Sequence, residues 1–362
     1  MFYGKLIDEL VSRLKLNPDT SNIRAIAGTK INNAYKEIGN ITPVNWPELE
    51  RYGEIITVPN YATGTVSIAQ NSRTVTGSNT VFTVDMEGRF FQPSGSANWY
   101  KIIKFVSATE LTLLSPIIES SNSGLSYTIW KRFYYLPTEV GRIIQIGSWI
   151  RDGELTELTQ NSLHSSNANL SLTGEPCEFS PYGVDPFEHT YSTGSVSLTK
   201  DNNLMTGSGT LWLNNVDAGD LVTVGNNRYR VKRVESDTSI RLINYASADA
   251  SAETYTINKE QNIGFQLWWN PDSAYLLPYR FRKRVFDMVN ETYDSPELPE
   301  KFDKAILDGA EADRLADLDD GKWVNKQALY SARVRDLKNS QFVSNAPSKQ
   351  LRPRITNRGG YI

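Results

Sequence analysis

The sequence predicts a multidomain α+β chain: a helical core with a small antiparallel sheet, carrying two repeated small all-β domains, sandwich or barrel-like, as insertions. Three observations predict it. Residues 63–83 (TGTVSIAQNSRTVTGSNTVFT) recur at 193–213 (TGSVSLTKDNNLMTGSGTLWL) with eight of 21 positions identical. The match resumes downstream, YKIIKFVSATELTL (100–113) against YRVKRVESDTSIRL (229–242) and Tyr127-Thr128-Ile129 against Tyr255-Thr256-Ile257. Outside these copies the apolar spacing changes from alternation to a helical period.

The elements follow in chain order. Phe2, Leu6, Leu10 and Leu14 recur every four residues, which predicts an amphipathic helix that Asn17-Pro18-Asp19 breaks. A second helix starts near Ser21 or Asn22, buries Ile23, Ile26, Ile31, Ala34 and Ile38, and stops at Gly39. These helices occupy a first segment, 1–62. The first β copy spans 63–129, the second 193–257. In each, Val66/Ile68 or Val196/Leu198 alternate with polar residues, and polar Asn- and Gly-containing stretches mark the turns. Five or six short strands are expected per copy. Between them, 130–192 holds a strand, proline turn and strand at 133–147, then a polar loop at 160–174. In the segment 258–338, GFQLWWNP (264–271) and YRFRKRV (279–285) read as an antiparallel pair. A helix over about 300–319 follows, and after Gly321 a last helix with Trp323, Tyr330, Val334 and Leu337 at heptad-like spacing. An extended basic tail, 339–362, closes the chain.

Composition excludes several classes. One cysteine, Cys177, forms no internal disulfide, and with only His164 and His189 beside it a Cys/His zinc site is not expected. The net charge of −3 argues against a nucleic-acid binder that relies on bulk positive charge. No apolar run reaches the ~18 residues of a membrane span and no charged-then-apolar leader opens the chain. A soluble protein without a secretory signal and without membrane contact is the expectation. Neither G-x-S-x-G, H-E-x-x-H nor a P-loop appears, and no cofactor, metal or catalytic residue is expected.

Three clusters remain. Trp268-Trp269 would suit a sugar or base platform, but neighbours on a strand face opposite ways, which favours a core or subunit-contact role. Arg280, Arg282 and Arg284 alternate on one strand face, suited to a phosphate backbone, to a neighbouring subunit's carboxylates, or simply to solvent. Residues 300–320 carry eight acids against three bases, including Asp313, Asp317, Asp319 and Asp320. That is a solvated face, a catalytic pair, or the lining of a channel.

The order of elements resembles the head-to-tail adaptor (connector or head-completion) proteins of tailed bacteriophages. The motif L-P-x-x-[FYH]…A…A of that family's late helix corresponds here to Leu298, Pro299, Phe302, Ala305, Ala310 and Ala312, followed by a partner helix. The strand pair around Tyr135-Leu136-Pro137 and the strand ending in WWNP stand in the family's order. The repeat is similar to β modules of phage tail and neck proteins, where T-G-x-G-T-x-W recurs, as in Thr206-Gly207-Ser208-Gly209-Thr210-Leu211-Trp212. The departure is the presence of two large β units where small family members have short loops.

The resemblance implies a homo-oligomeric ring, a dodecamer, docked under the portal in the virion neck after assembly in the host cytoplasm. DNA would pass through it during packaging and ejection without sequence-specific binding. The tail-side partners would be nozzle or tail-completion proteins, and fibre or collar proteins would sit on the β modules. From Leu337 to Ile362 the chain has five bases and no acids. This tail would clamp the portal through Leu351, Arg352, Arg354, Ile355, Arg358, Tyr361 and Ile362. Arg280, Arg282, Arg284 and the four aspartates above would serve subunit contacts or the channel. Two other readings stand beside it: a tail or fibre protein binding host-surface carbohydrate, and a cell-wall glycosidase using two carboxylates.

Overall fold

The computed structural model describes residues 1–16, 21–40, 46–148, 153–166, 172–184, 190–259 and 262–344. Two compact units divide them, one drawn from both ends of the sequence (Met1–Glu48 and the residues from Phe286 onward) and one spanning Leu49–Val285. The described α-helices are α1 (Tyr3–Arg13), α2 (Ser21–Asn40), α3 (Gln160–Ser166), α4 (Asp303–Asp317) and α5 (Trp323–Ser344). The fold is mixed α+β and mainly β, with 37% strand against 26% helix. Where the sequence predicts one small sheet beside the two β modules, strands outweigh helices and form several sheets, including a curled half-barrel.

In the terminal unit, α1, α2 and α5 all pack on α4. Helix α1 buries Tyr3, Leu6, Ile7, Leu10 and Val11, a stripe at i, i+3, i+4 spacing. Phe2, predicted to share that stripe, is exposed at the N-cap. Gly309 permits the close helix approach: a Cβ there would lie 3.0 Å from the Tyr330 ring of α5 and 3.1 Å from Ala34 of α2. Trp46 is fully buried edge-on to Phe302, at 4.9 Å, and its indole N–H donates to the Ile38 carbonyl. Of the heptad-spaced residues of α5, Tyr330 and Val334 are buried, while Trp323 is exposed.

The second unit is built on two four-stranded sheets. One runs Glu50–Ile56, Leu276–Lys283, Val140–Ser148, Gly153–Glu154; the other runs Thr156–Glu157, Glu178–Val184, Ile263–Trp268, Phe133–Tyr135. Leu277, Tyr279, Phe281, Val140 and Ile146 of the first share one core with Tyr134, Phe179, Phe265 and Leu267 of the second. The predicted antiparallel pairing of 264–271 with 279–285 does not occur. Ile263–Trp268 pairs with Glu178–Val184 and Phe133–Tyr135, whereas Leu276–Lys283 pairs with Glu50–Ile56 and Val140–Ser148. The Asn270-Pro271-Asp272 connection crosses from sheet to sheet. A strand–turn–strand pattern does not distinguish such an arch from a hairpin. One pairing, Thr156–Glu157 with Glu178–Phe179, is parallel. The expected polar loop at 160–174 contains α3, whose Leu163 is fully buried.

The two repeats fold alike. The first orders its strands Asn122–Leu125, Thr65–Ile68, Thr74–Ser78, Glu110–Leu113, Tyr100–Ser107, Phe90–Pro93, Tyr127–Trp130. The second follows the same order from Ala250–Glu253 to Tyr255–Asn258, and an eighth strand, Thr190–Tyr191, pairs at the position where Tyr61 bridges Ile129 in the first. Seven and eight strands replace the expected five or six. The cores correspond residue by residue: Val66/Val196, Val75/Met205, Phe82/Trp212, Ile102/Val231, Leu111/Ile240 and Ile129/Ile257.

The recurring Thr-Gly-Ser-x-Thr motif has a physical cause. The hydroxyls of Thr80 and Thr210 donate to the carbonyls of Ala108 and Asp237. A Cβ on Gly77 or Gly207 would fall 2.1 or 2.4 Å from those hydroxyls. Gly64 and Gly194 sit at φ +79° and +86°, with a carbonyl 2.5 and 2.4 Å from any Cβ, so only glycine fits.

Candidate assembly surfaces

The acidic helix α4 is the centre of an ion-pair web. Arg13 of α1 and Arg333 of α5 reach Asp308 at 3.0 and 2.6 Å, and Lys326 of α5 reaches Glu311 at 2.9 Å. Asp308 and Glu311 are buried, and buried carboxylates of this kind persist only when paired. Lys30 of α2 bridges Asp313 and Asp317 at 3.0 and 2.7 Å. Its hydrogen bond holds the Asp317 carboxyl below the usual carboxylate range. Lys30 also relieves the repulsion between two acids one helical turn apart. Asp313 and Asp317 remain partly exposed, with side-chain exposures of 44% each.

Asp319 and Asp320 lie in the turn from α4 to α5. Asp319 is exposed at φ +53°, and an Asp320 carboxylate oxygen accepts the Lys322 backbone N–H at 3.0 Å. The partners Arg13, Lys30, Lys326 and Arg333 were not singled out in the sequence. A signal existed: Lys326 and Arg333 are two turns apart on one face of α5, matching Asp308 and Glu311 three apart on α4.

The arginines at 280, 282 and 284 do not form one exposed row. Arg280 is half-exposed, 3.9 Å from Glu50. Arg282 is only 4% exposed and stands opposite Arg142 in register, and burial together with that neighbouring guanidinium lowers its pKa. Arg284 lies beyond the strand end, its backbone N–H bonded to the Glu139 carbonyl. Of the adjacent tryptophans, Trp268 is buried, with Arg132 5.8 Å from its ring, while Trp269 is exposed.

His189 and the tail residues Leu351, Arg352, Arg354, Ile355, Arg358, Tyr361 and Ile362 lie outside the described residues. Among the described residues no group of three or more His, Cys, Asp or Glu could hold a metal ion, and no helix is long and apolar enough to cross a membrane. No protein-family model matches the chain, and no curated protein matches it either.

Proposed function

We propose that this chain is a structural virion protein of a tailed bacteriophage, one subunit of a ring that joins the portal to the tail and continues the DNA channel. The observation that carries the reading is the role of α4. The helix introduced by Leu298-Pro299 and Phe302 is the element on which α1, α2 and α5 pack; its buried Asp308 and Glu311 hold α1 and α5, and its half-exposed Asp313 and Asp317 hold α2 through Lys30. That is scaffold chemistry rather than acid/base chemistry, in the segment where the adaptor resemblance is densest.

In this reading the helical unit is the ring core and the two β modules are inserts. Asp319 and Asp320 contribute negative charge to a channel through which DNA must slide rather than stick, beside the half-exposed Asp313 and Asp317, whose charge Lys30 partly offsets. A ring needs two different complementary faces per subunit, which an ion-paired helical unit with separate charged faces can supply. The basic tail clamps the portal, with Arg352, Arg354 and Arg358 meeting its carboxylates. The second module interrupts two neighbouring strands, Glu178–Val184 and Ile263–Trp268, as an insertion tolerated by a sheet would. Native mass measurement of the chain assembled on its cognate portal tests the reading. A dodecameric ring is expected, and a trimer contradicts it.

A further inference from the structure

A cleft of about 710 Å³ opens between the two β modules within the second unit. Equivalent positions of the two copies face into it: Val84 and Asn214, Asp85 and Asn215, Lys131 and Lys259. The volume falls in the range of small-ligand sites, roughly 300–1,000 Å³. We propose that this cleft binds a short neutral oligosaccharide.

The lining carries the assignment. Three aromatic side chains, Phe133, Tyr135 and Tyr191, contribute half-buried rings. Two of them are fixed in place. The Phe133 ring stacks on Tyr182 at 4.2 Å, and the Tyr191 hydroxyl accepts the Leu211 N–H at 2.8 Å. Rings held in this way offer apolar faces to the C–H faces of a sugar at small entropic cost. Beside them stand the planar polar edges of Asp85, Asn214 and Asn215, all exposed, which suit pairs of hydroxyl groups.

Charge argues for a neutral ligand. Arg89 donates to Asp85, Lys259 lies 2.5 Å from Asp217, and Glu87 accepts the Phe105 N–H at 2.8 Å. Lys131 lies over the Tyr134 ring at 5.1 Å. A charged ligand would have to compete with these internal contacts, whereas hydroxyl groups add to them. The proposal rests on the second unit alone, its two β modules and the adjoining Phe133–Tyr135 strand, and holds whether or not the chain forms a ring.

The test uses the full chain on an array of neutral and acidic bacterial surface oligosaccharides, at low and high salt. At least one neutral oligosaccharide should bind, with little salt dependence. Asn214→Trp, which fills the cleft from an exposed position, should weaken that binding about tenfold or more, and Asn214→Gln should retain most of it. Both variants should melt like the parent. Three results would each overturn the proposal: no glycan bound, undiminished binding by Asn214→Trp, or binding confined to acidic glycans and lost at high salt.

Discussion

Asp220 shows how one side chain can make a module pH-sensitive. It is fully buried, and burial pushes its carboxyl up to about 6, against the backbone hydrogen bond from Asp217 that pulls it down. The Thr138 hydroxyl lies 2.8 Å from both Asp220 Oδ1 and Asn262 Oδ1. One hydroxyl proton cannot serve two acceptors. A proton on Asp220 resolves this, because the acid then donates to Thr138 while Thr138 donates to Asn262. A carboxyl raised in the folded state contributes stability that is present below its unfolded pKa and lost as pH rises through the folded value. Asp220→Asn mimics the protonated form. Relative to that variant, the parent should lose up to about 3 kcal/mol of unfolding free energy between pH 4 and pH 7.5. Denaturant curves at the two pH values measure it, and a difference independent of pH would refute the protonated network.

At the scale of elements, the repeat and the ion-pair web make separate predictions. Trp212 is fully buried and donates its indole N–H to the Tyr255 hydroxyl at 3.0 Å. Trp212→Ala should cost about 3–5 kcal/mol by loss of transfer energy and cavity formation. Phe82→Ala should cost a similar amount in the first module, and calorimetry can follow the two modules separately. Asp308→Ala removes the buried acid that Arg13 and Arg333 share, leaving Arg13 its Glu9 partner at 2.6 Å, and should cost about 1.5–3 kcal/mol. A loss under 1 kcal/mol would mean that the web is dispensable. The repeat was legible in the sequence because its glycines and threonines make contacts no other residues can make, so both copies retained them. The cross-sheet connections were not legible. Nothing at Asn270-Pro271-Asp272 or Pro137 records whether the next strand returns to the same sheet; the distant strands at 50–56 and 178–184 decide it. The acidic stretch was visible as charge, but its partners came from α1, α2 and α5, far away in sequence.

At the scale of the whole molecule, the adaptor reading places the tail at the portal. Truncation after Ser340 should abolish co-sedimentation of the protein with DNA-filled heads while leaving the two units folded by circular dichroism. Undiminished co-sedimentation would remove the clamp from the account. The candidate channel residues were legible only as an acidic excess, since Asp313 and Asp317 are distinguished from the buried Asp308 and Glu311 by packing that no local pattern encodes. The central claim is the ring, and electron microscopy of the chain assembled with its cognate portal tests it most directly. The account predicts a dodecamer coaxial with the portal, with its channel continuous through both. A trimer, or monomers bound without closure, would contradict it.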